Sequence, residues 1–263
     1  MRAFRLAYDG RPFHGFQRQP DVPTVEDALF DALRTLGICD DQPASYSAAG
    51  RTDAGVSALA QTVAFDCPDW CTPRALNPEL PRSVWAWAAT DVPADFHAGL
   101  AARRREYTYH LHAPGADDDR ARETIERLAG EHDFHNLTTD DEGTVRTLEI
   151  DLTRDGAYLV VTVAADGFPR QLVRRLITLI RSSVAAEADR HLVDRVLAAA
   201  PLEGPAGIGP APANPLVLTA VDYGRDFTVD ETARDDAIGW FDNRRIEWAT
   251  RSRVAGFVRD RIA

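Results

Sequence analysis

The stretch that decides how this chain is interpreted is Ala49-Gly50-Arg51-Thr52-Asp53-Ala54-Gly55-Val56-Ser57-Ala58-Leu59. It places one carboxylate, Asp53, in a tight turn between two glycines, which permit backbone angles and close approaches that a side chain forbids. Residues 60–65 are apolar and β-prone, so the turn leads into a strand. The carboxylate is held in one direction, which makes Asp53 a candidate functional residue. An ordinary Asx-type loop between two elements is the alternative.

The remaining pattern predicts an α+β fold, in which two similar α/β modules join antiparallel or mixed sheets. We expect one module at 1–99, a second at 100–229 and a helical appendage at 230–263. Alternating or β-prone runs predict strands at 4–8, 61–66, 83–90, 106–112, 145–154, 157–164 and 216–223. Helices, the first with Thr24 as its N-cap, are predicted near 24–36, 123–128, 169–186 and 191–200. A Pro- and Gly-rich loop is expected at 204–215.

Composition indicates a globular protein with enough chain for one large domain or two ordinary ones, at 263 residues and 44% hydrophobic content. No apolar run approaches the ~20 residues that cross a bilayer. Residues 1–5 lead directly into a strand and lack the apolar segment of a signal peptide. We therefore expect a cytoplasmic protein with no membrane partner.

The three cysteines do not indicate a metal site. Cys67 and Cys71 lack zinc-ligand spacing, and neither they nor Cys39 have a neighbouring cluster of His or Cys. We expect free thiols and no metal.

The charge balance is unusual, because 41 acids face 30 bases and every base is Arg. A net charge of −11 ordinarily argues against a nucleic-acid partner. Absence of Lys indicates a halophile or a very GC-rich genome, and strong salt shortens the Debye length to a few Å. Contacts at hydrogen-bonding distance then decide binding, and Arg contacts phosphate bidentately. The net charge therefore does not exclude RNA.

The Asp53 stretch resembles the GRTDAGVHA-type signature of the TruA family of tRNA pseudouridine synthases. The resemblance implies that Asp53 is the catalytic nucleophile. It extends over about residues 4–225, through Asp95-Phe96-His97-Ala98 and the closing strand. The family usually has His at the position of Ser57 and Arg at the position of Gly99, which bears on substrate docking more than on chemistry.

Arg105-Glu106-Tyr107-Thr108-Tyr109 resembles the basic-x-Tyr-x-Tyr motif of the same family. In a strand, Tyr107 and Tyr109 lie on the same face. Two tyrosines packed in the core are the alternative interpretation of this pattern. The resemblance implies that Tyr107 stacks on the target base. Stacking suits a flipped pyrimidine because every base has a π-face.

The segment 166–175 carries the third resemblance, to a family Phe-x-x-x-(Met/Leu)-Val-Arg pattern. Helical periodicity places Arg170, Arg174 and Arg181 on one face, and no acid stands between Phe168 and Ala186. A solvated basic face is the alternative. The resemblance implies that Arg174 pairs with Asp53 and fixes its rotamer.

Other substrate contacts are predicted around these three residues. The loop His14-Gly15-Phe16-Gln17-Arg18-Gln19 resembles an early family loop, and Arg51 is suited to fill the stack that a flipped base vacates. The candidate substrate-binding residues are Tyr107, Arg51, Arg170, Gln17, Arg18 and Gln61.

The resemblance implies isomerisation of uridine to pseudouridine in the tRNA anticodon stem-loop, at positions 38 to 40, by a homodimer without cofactor. A noncatalytic RNA-binding module or tRNA chaperone is the first alternative, since it needs the basic face and tyrosines but no carboxylate. A glycosidase would need a second acid in a comparable turn, and none is present. The third alternative is a synthase of the same family that acts on other uridines or on other RNAs.

The acidic composition generates a prediction about salt. Repulsion among 41 acids should destabilise the fold in dilute buffer, and molar KCl should screen it. We expect the free energy of unfolding, measured by urea denaturation, to rise as KCl increases from about 0.1 M to about 3 M. Cooperative folding with full activity in dilute buffer would contradict a halophilic protein.

Overall fold

The computed structural model describes residues 1–185, 189, 191–202 and 207–262 as a mixed α+β structure. The strands are β1 Arg2–Tyr8, β2 Ser47–Ala48, β3 Ser57–Phe65, β4 Val84–Asp91, β5 Arg104–His112, β6 Gly130–Asp133, β7 Val145–Asp155, β8 Tyr158–Ala165, β9 Leu216–Asp222 and β10 Thr228–Val229. The helices are α1 Val25–Thr35, α2 Pro73–Leu76, α3 Asp118–Leu128, α4 Leu172–Ser183, α5 Leu192–Leu197 and α6 Glu231–Ile262, with a 3₁₀ turn at His135–Leu137.

The strands form one sheet in the order β10-β4-β1-β3-β9-β5-β8-β7-β6, with β2 paired to β3. The pairing of β3 with β9 is parallel and joins Ser57 to Val217 and Ala58 to Leu218. The other described pairs are antiparallel. This short parallel contact is the seam between the two halves, so the predicted α+β fold with a joined, mixed sheet is confirmed.

Two large hydrophobic clusters of described residues pack on the sheet, one in each half. The first surrounds β1 and β3 and includes Phe4 and Leu29 from α1. The second surrounds β8 and includes Leu176 and Ile180 from α4. Each cluster also includes residues from the other half of the chain. For example, Val221 of β9 belongs to the first cluster. The module boundary near residue 100 remains a prediction, because β9 completes the centre of the sheet.

Several local predictions are confirmed where short-range chemistry decides the structure. The Thr24 hydroxyl accepts a hydrogen bond from the Asp27 amide at 3.2 Å, which caps α1 as expected. The Asp155-Gly156 turn joins β7 to β8, with Gly156 at φ +54°. The appendage after Asp230 is helical and forms the 32 residues of α6.

Other boundaries differ from the predictions. Helix α3 begins at Asp118, earlier than expected, because the Asp117 carboxylate accepts hydrogen bonds from the amides of Asp119 and Arg120. Helix α4 begins at Leu172 and not at Pro169, since Gln171 adopts a left-handed conformation at φ +59°. Arg170 therefore precedes the helix and does not share its face.

Two predicted segments lie partly outside the described residues, namely the end of the 169–186 helix and the start of the 204–215 loop. In the part of the chain that the structure describes, no helix combines the length and apolar character needed to cross a membrane.

Candidate active site

A cleft of about 930 Å³ opens at the end of the sheet where β1 finishes and β3 begins. It is lined by residues 14–17 and 19 of the early loop, by the Asp53 loop and by residues 168–174 at the start of α4. Its volume is in the range of sites that hold a small ligand or one nucleotide. Residues far apart in sequence therefore converge at one end of the seam.

The Asp53 loop is held by backbone hydrogen bonds on two sides. The Phe16 amide donates to the Thr52 carbonyl at 3.0 Å, and the Val56 amide closes the turn onto the Asp53 carbonyl at 3.1 Å. Gly55 has φ +80°, and a Cβ there would lie 2.8 Å from the amide oxygen of Asn214. Glycine is therefore required at this position by backbone conformation and by space.

Buried polar side chains support the same loop from below. The Tyr8 hydroxyl and the Thr52 hydroxyl lie 2.8 Å apart, and burial raises the pKa of Tyr8. The Gln61 side-chain amide donates to the Gly50 carbonyl at 2.8 Å. Gln61 is fully buried, so the expectation that it contacts substrate is corrected. The hydrogen bond from its side-chain amide to Gly50 helps to position the Asp53 loop.

Arg174 binds Asp53 directly. Its Nη1 donates to Oδ2 of Asp53 at 2.7 Å, and its Nε donates to the Ala211 carbonyl at 2.7 Å. The Asp53 side chain keeps 33% of its surface exposed, and Arg174 keeps 15%. The guanidinium thus fixes one carboxylate oxygen from within the protein and leaves the carboxylate accessible from the cleft.

Tyr107 lies in the same cleft. Its ring packs edge-on against Phe168, with centroids 5.3 Å apart and an interplanar angle of 84°. Burial raises the pKa of Tyr107 to about 12, with a smaller contribution from the negative charge of Asp53. The phenol is therefore neutral at physiological pH, and its ring is held by packing beside the carboxylate.

The other predicted contacts divide into two groups. Arg51 and Gln17 are exposed and line the cleft, as does Arg170, whose amide donates to the Asp140 carboxylate at 2.6 Å. Arg18 does not line it. Its guanidinium binds the carboxylates of Asp27 and Asp41, at 2.9 and 2.7 Å. The expectation that Arg18 contacts substrate in the cleft is therefore corrected, because its side chain is directed to Asp27 and Asp41 outside the cleft lining.

No cluster of three or more metal-binding side chains occurs among the described residues. Cys39, Cys67 and Cys71 are free thiols. The cleft therefore offers carboxylate, guanidinium, amide and aromatic groups for chemistry and binding.

A family model described as tRNA pseudouridine synthase matches residues 124–224. A protein named tRNA pseudouridine synthase A from Haloarcula marismortui is 53% identical over 273 residues and covers 99% of each chain. This chain belongs to the tRNA pseudouridine synthase family.

Other relatives of that name extend the likeness. One from Natronomonas pharaonis is 54% identical and covers 97% of this chain and 98% of its own. One from Methanosarcina mazei is 41% identical over 85% of each chain. The halophilic sources of the Haloarcula and Natronomonas relatives agree with the lysine-free, acidic composition, and confirm the predicted halophilic character. A chain in a crystal structure of a Cbf5–Nop10–Gar1 complex aligns with a TM-score of 0.35 at 13% identity, covering 69% of this chain and 54% of its own.

The two departures from the family pattern have local structural consequences. The Ser57 hydroxyl accepts a hydrogen bond from the Gly10 amide at 3.1 Å, next to the point where Gly10 touches the Asp53 loop. A Cβ at Gly99 would lie 3.0 Å from the Ala48 carbonyl oxygen, so a side chain fits poorly there. Both positions contact this synthase's own backbone.

Sequence reasoning did not identify Arg105 as a site residue. Its guanidinium donates two hydrogen bonds to the Ala49 carbonyl, at 3.0 and 2.7 Å, one to the Gly99 carbonyl at 2.6 Å and one to the Asp166 carbonyl. It therefore ties the start of the Asp53 loop to the segments before β5 and after β8. The available signal was its position on the same strand face as Tyr107, two residues away.

The Arg105 contacts generate a prediction. Arg105→Lys keeps the charge but replaces a planar fork by one ammonium, which cannot serve three carbonyls in this arrangement. We expect a loss of about 1–3 kcal/mol in the free energy of unfolding and a fall of up to about 100-fold in kcat. Denaturation and single-turnover rates measure the two effects.

Arg104→Lys is the matched control, since Arg104 binds Glu106 and Glu149 near the surface. It should alter the free energy of unfolding by less than about 1 kcal/mol. Equal losses in both variants would show that Arg105 does not position the loop.

Proposed function

We propose that this enzyme isomerises specific uridines in tRNA to pseudouridine, with Asp53 as nucleophile on a flipped-out base. The observation that supports the proposal is the convergence of Asp53, Arg174 and Tyr107 in one cleft, with a 2.7 Å contact between the first two. Family membership supplies the reaction class.

The reaction is an isomerisation, so it requires a nucleophile and no redox group. The N1–C1′ bond breaks, the uracil turns, and a C5–C1′ bond forms; C5 loses a proton and N1 gains one. Atoms and electrons balance within the nucleotide, so the isomerisation requires no redox cofactor. A covalent bond to the enzyme keeps one fragment in place while the base turns.

Asp53 is suited to form that bond. Its Oδ2 accepts from Arg174, and Oδ1 accepts no hydrogen bond from the described residues. Oδ1 can attack either C6 of the uracil or C1′ of the ribose, since a carboxylate can add to either carbon. Arg174 holds the carboxylate in one rotamer, so the attacking oxygen is preorganised and no reorientation is needed.

Tyr107 and the cleft rim complete the proposed substrate site. A uridine within a stem cannot reach Asp53 unless it leaves the stack, and the neutral ring of Tyr107 offers a surface for the everted base. Arg51, exposed on the rim, fills the vacated position in the stack. Arg170 and Gln17 contact the neighbouring backbone of the RNA.

The finer substrate assignment follows from the family resemblance. We propose the anticodon stem-loop of tRNA as substrate, with modification at positions 38 to 40, by a homodimer that holds one tRNA across both subunits in the cytoplasm.

Removal of the nucleophile is the direct test of Asp53. Asp53→Asn keeps the shape and a hydrogen-bond acceptor for Arg174 but lacks the nucleophilic carboxylate. Pseudouridine formation should fall by about 10⁴-fold or more, while the Kd for tRNA changes by less than about threefold. Mass spectrometry of the RNA measures the product, and filter binding measures the affinity.

Asp141→Asn is the control, since Asp141 is exposed near the cleft but does not line it. It should leave the rate unchanged. Substantial residual turnover by the Asp53 variant would remove Asp53 from the chemistry and favour a noncatalytic RNA-binding role for its loop.

The substrate positions have their own test. Pseudouridine should appear in a transcript with uridines at 38, 39 and 40, and each uridine-to-cytidine replacement should remove only its own product. Carbodiimide mapping of the modified RNA locates every site. Full activity on a transcript lacking all three uridines would contradict the anticodon assignment and leave the reaction itself intact.

A further inference from the structure

The long helix α6 is attached to the protein through residues up to Trp248, and its remaining turns extend beyond that contact. The Asp230 amide donates to the Trp87 carbonyl at 3.0 Å, and Ala233 and Ala237 are buried near β4. Residues 250–262 are exposed, except for Gly256, which is half-buried. The helix beyond Trp248 therefore has little contact with the described sheet or helices.

The direction of α6 carries its second half toward the cleft end of the sheet. Arg11 lies over the ring of Trp248, with 3.6 Å between the guanidinium carbon and the ring centroid. Arg11 follows the end of β1, which is the same end of the sheet as the Asp53 loop. From Trp248 to Ile262 the helix extends about 21 Å farther, at ~1.5 Å per residue.

The charge of this half is opposite to that of the remaining chain. Residues 244–262, here called the basic arm, hold six arginines and two acids, a net charge of +4. The other residues hold 24 arginines and 39 acids, a net charge of −15. Such separation of charge indicates a surface for a polyanion.

The acids of the basic arm neutralise only part of it. Glu247 is shared by Arg244 and Arg251, Asp260 pairs with Arg259, and Asp242, just before the arm, pairs with Arg245. Arg253 and Arg261 bind no carboxylate among the described residues. Exposed ion pairs of this kind are weak and exchange readily for phosphate contacts.

We propose that the basic arm binds the sugar-phosphate backbone of the tRNA whose uridine enters the cleft. This inference rests on the proposed function, which supplies the RNA. Position and charge favour it: the arm projects from the cleft end of the sheet and is cationic in an otherwise acidic chain. It adds affinity outside the cleft and takes no part in the chemistry.

A second copy of this chain is the competing occupant. Val254, Phe257 and Val258 are about half exposed or more and could pack against another protein surface. The charge separation favours RNA over that alternative, because arginines surround the helix and are not confined to the edges of an apolar stripe.

The test uses the full chain with four charges removed. Arg251→Gln, R253Q, R259Q and R261Q are combined in one variant. The control combines Arg34→Gln, R120Q, R122Q and R195Q, which lie on α1, α3 and α5 and lower the net charge equally. Kd for full-length tRNA is measured from about 0.2 M to about 2 M KCl, together with kcat at saturating tRNA and sedimentation mass.

We expect the arm variant to bind tRNA about tenfold more weakly at the lowest salt and to lower the slope of log K against log salt by about 1–3. Its kcat at saturation and its sedimentation mass should match the parent. The control should bind like the parent, which separates a local contact from the general change in charge.

Three results would overturn the proposal: unchanged Kd in the arm variant, equal weakening in both variants, or a loss of oligomeric mass that accounts for the weakening. Failure of the proposed function is distinguishable, because the parent would then form no pseudouridine in any tRNA whether or not the arm variant binds more weakly.

Discussion

The contact between Asp53 and Arg174 is the constraint on which the rest of the site depends. The two residues are 121 positions apart and lie in different halves of the chain. The halves meet at a seam of two parallel residue pairs between β3 and β9. Because Arg174 also binds the Ala211 carbonyl just before β9, the guanidinium joins the carboxylate to that seam. Any shift between the halves would therefore separate the Asp53 carboxylate from the Arg174 guanidinium.

The loop that presents Asp53 is made rigid by satisfying its carbonyl oxygens from outside. Side chains of Arg105 and Gln61 bind the carbonyls of Ala49 and Gly50. The Phe16 amide donates to the carbonyl of Thr52, farther along the same loop. The donors come from different segments of the fold, so no single element sets the loop conformation. A network in which each buried acceptor is paired gives the loop one geometry and so holds the Asp53 carboxylate in one position.

The sequence predicted those features that short-range chemistry controls. The Thr24 cap and the Asp155-Gly156 hairpin depend on neighbouring residues, and both occur as expected. Features set by tertiary contacts were not accessible. The late start of α4 depends on a left-handed Gln171, and the burial of Gln61 depends on the packing around β3. One of the carboxylates that bind Arg18, that of Asp41, is 23 positions away in the sequence. The pairing could therefore not be inferred from the motif around Arg18.

The distribution of arginine matters more to this enzyme than its net charge. At molar salt the Debye length is about 3 Å, so the −11 net charge neither repels nor steers an RNA at a distance. What remains is the set of guanidinium groups within hydrogen-bonding reach of phosphate. The groups that we propose for this contact lie at the cleft rim, in Arg51 and Arg170, and along the second half of α6. An acidic protein and a polyanionic substrate are therefore compatible. Salt screens the long-range electrostatic repulsion between them, and local hydrogen bonds and ion pairs decide the binding.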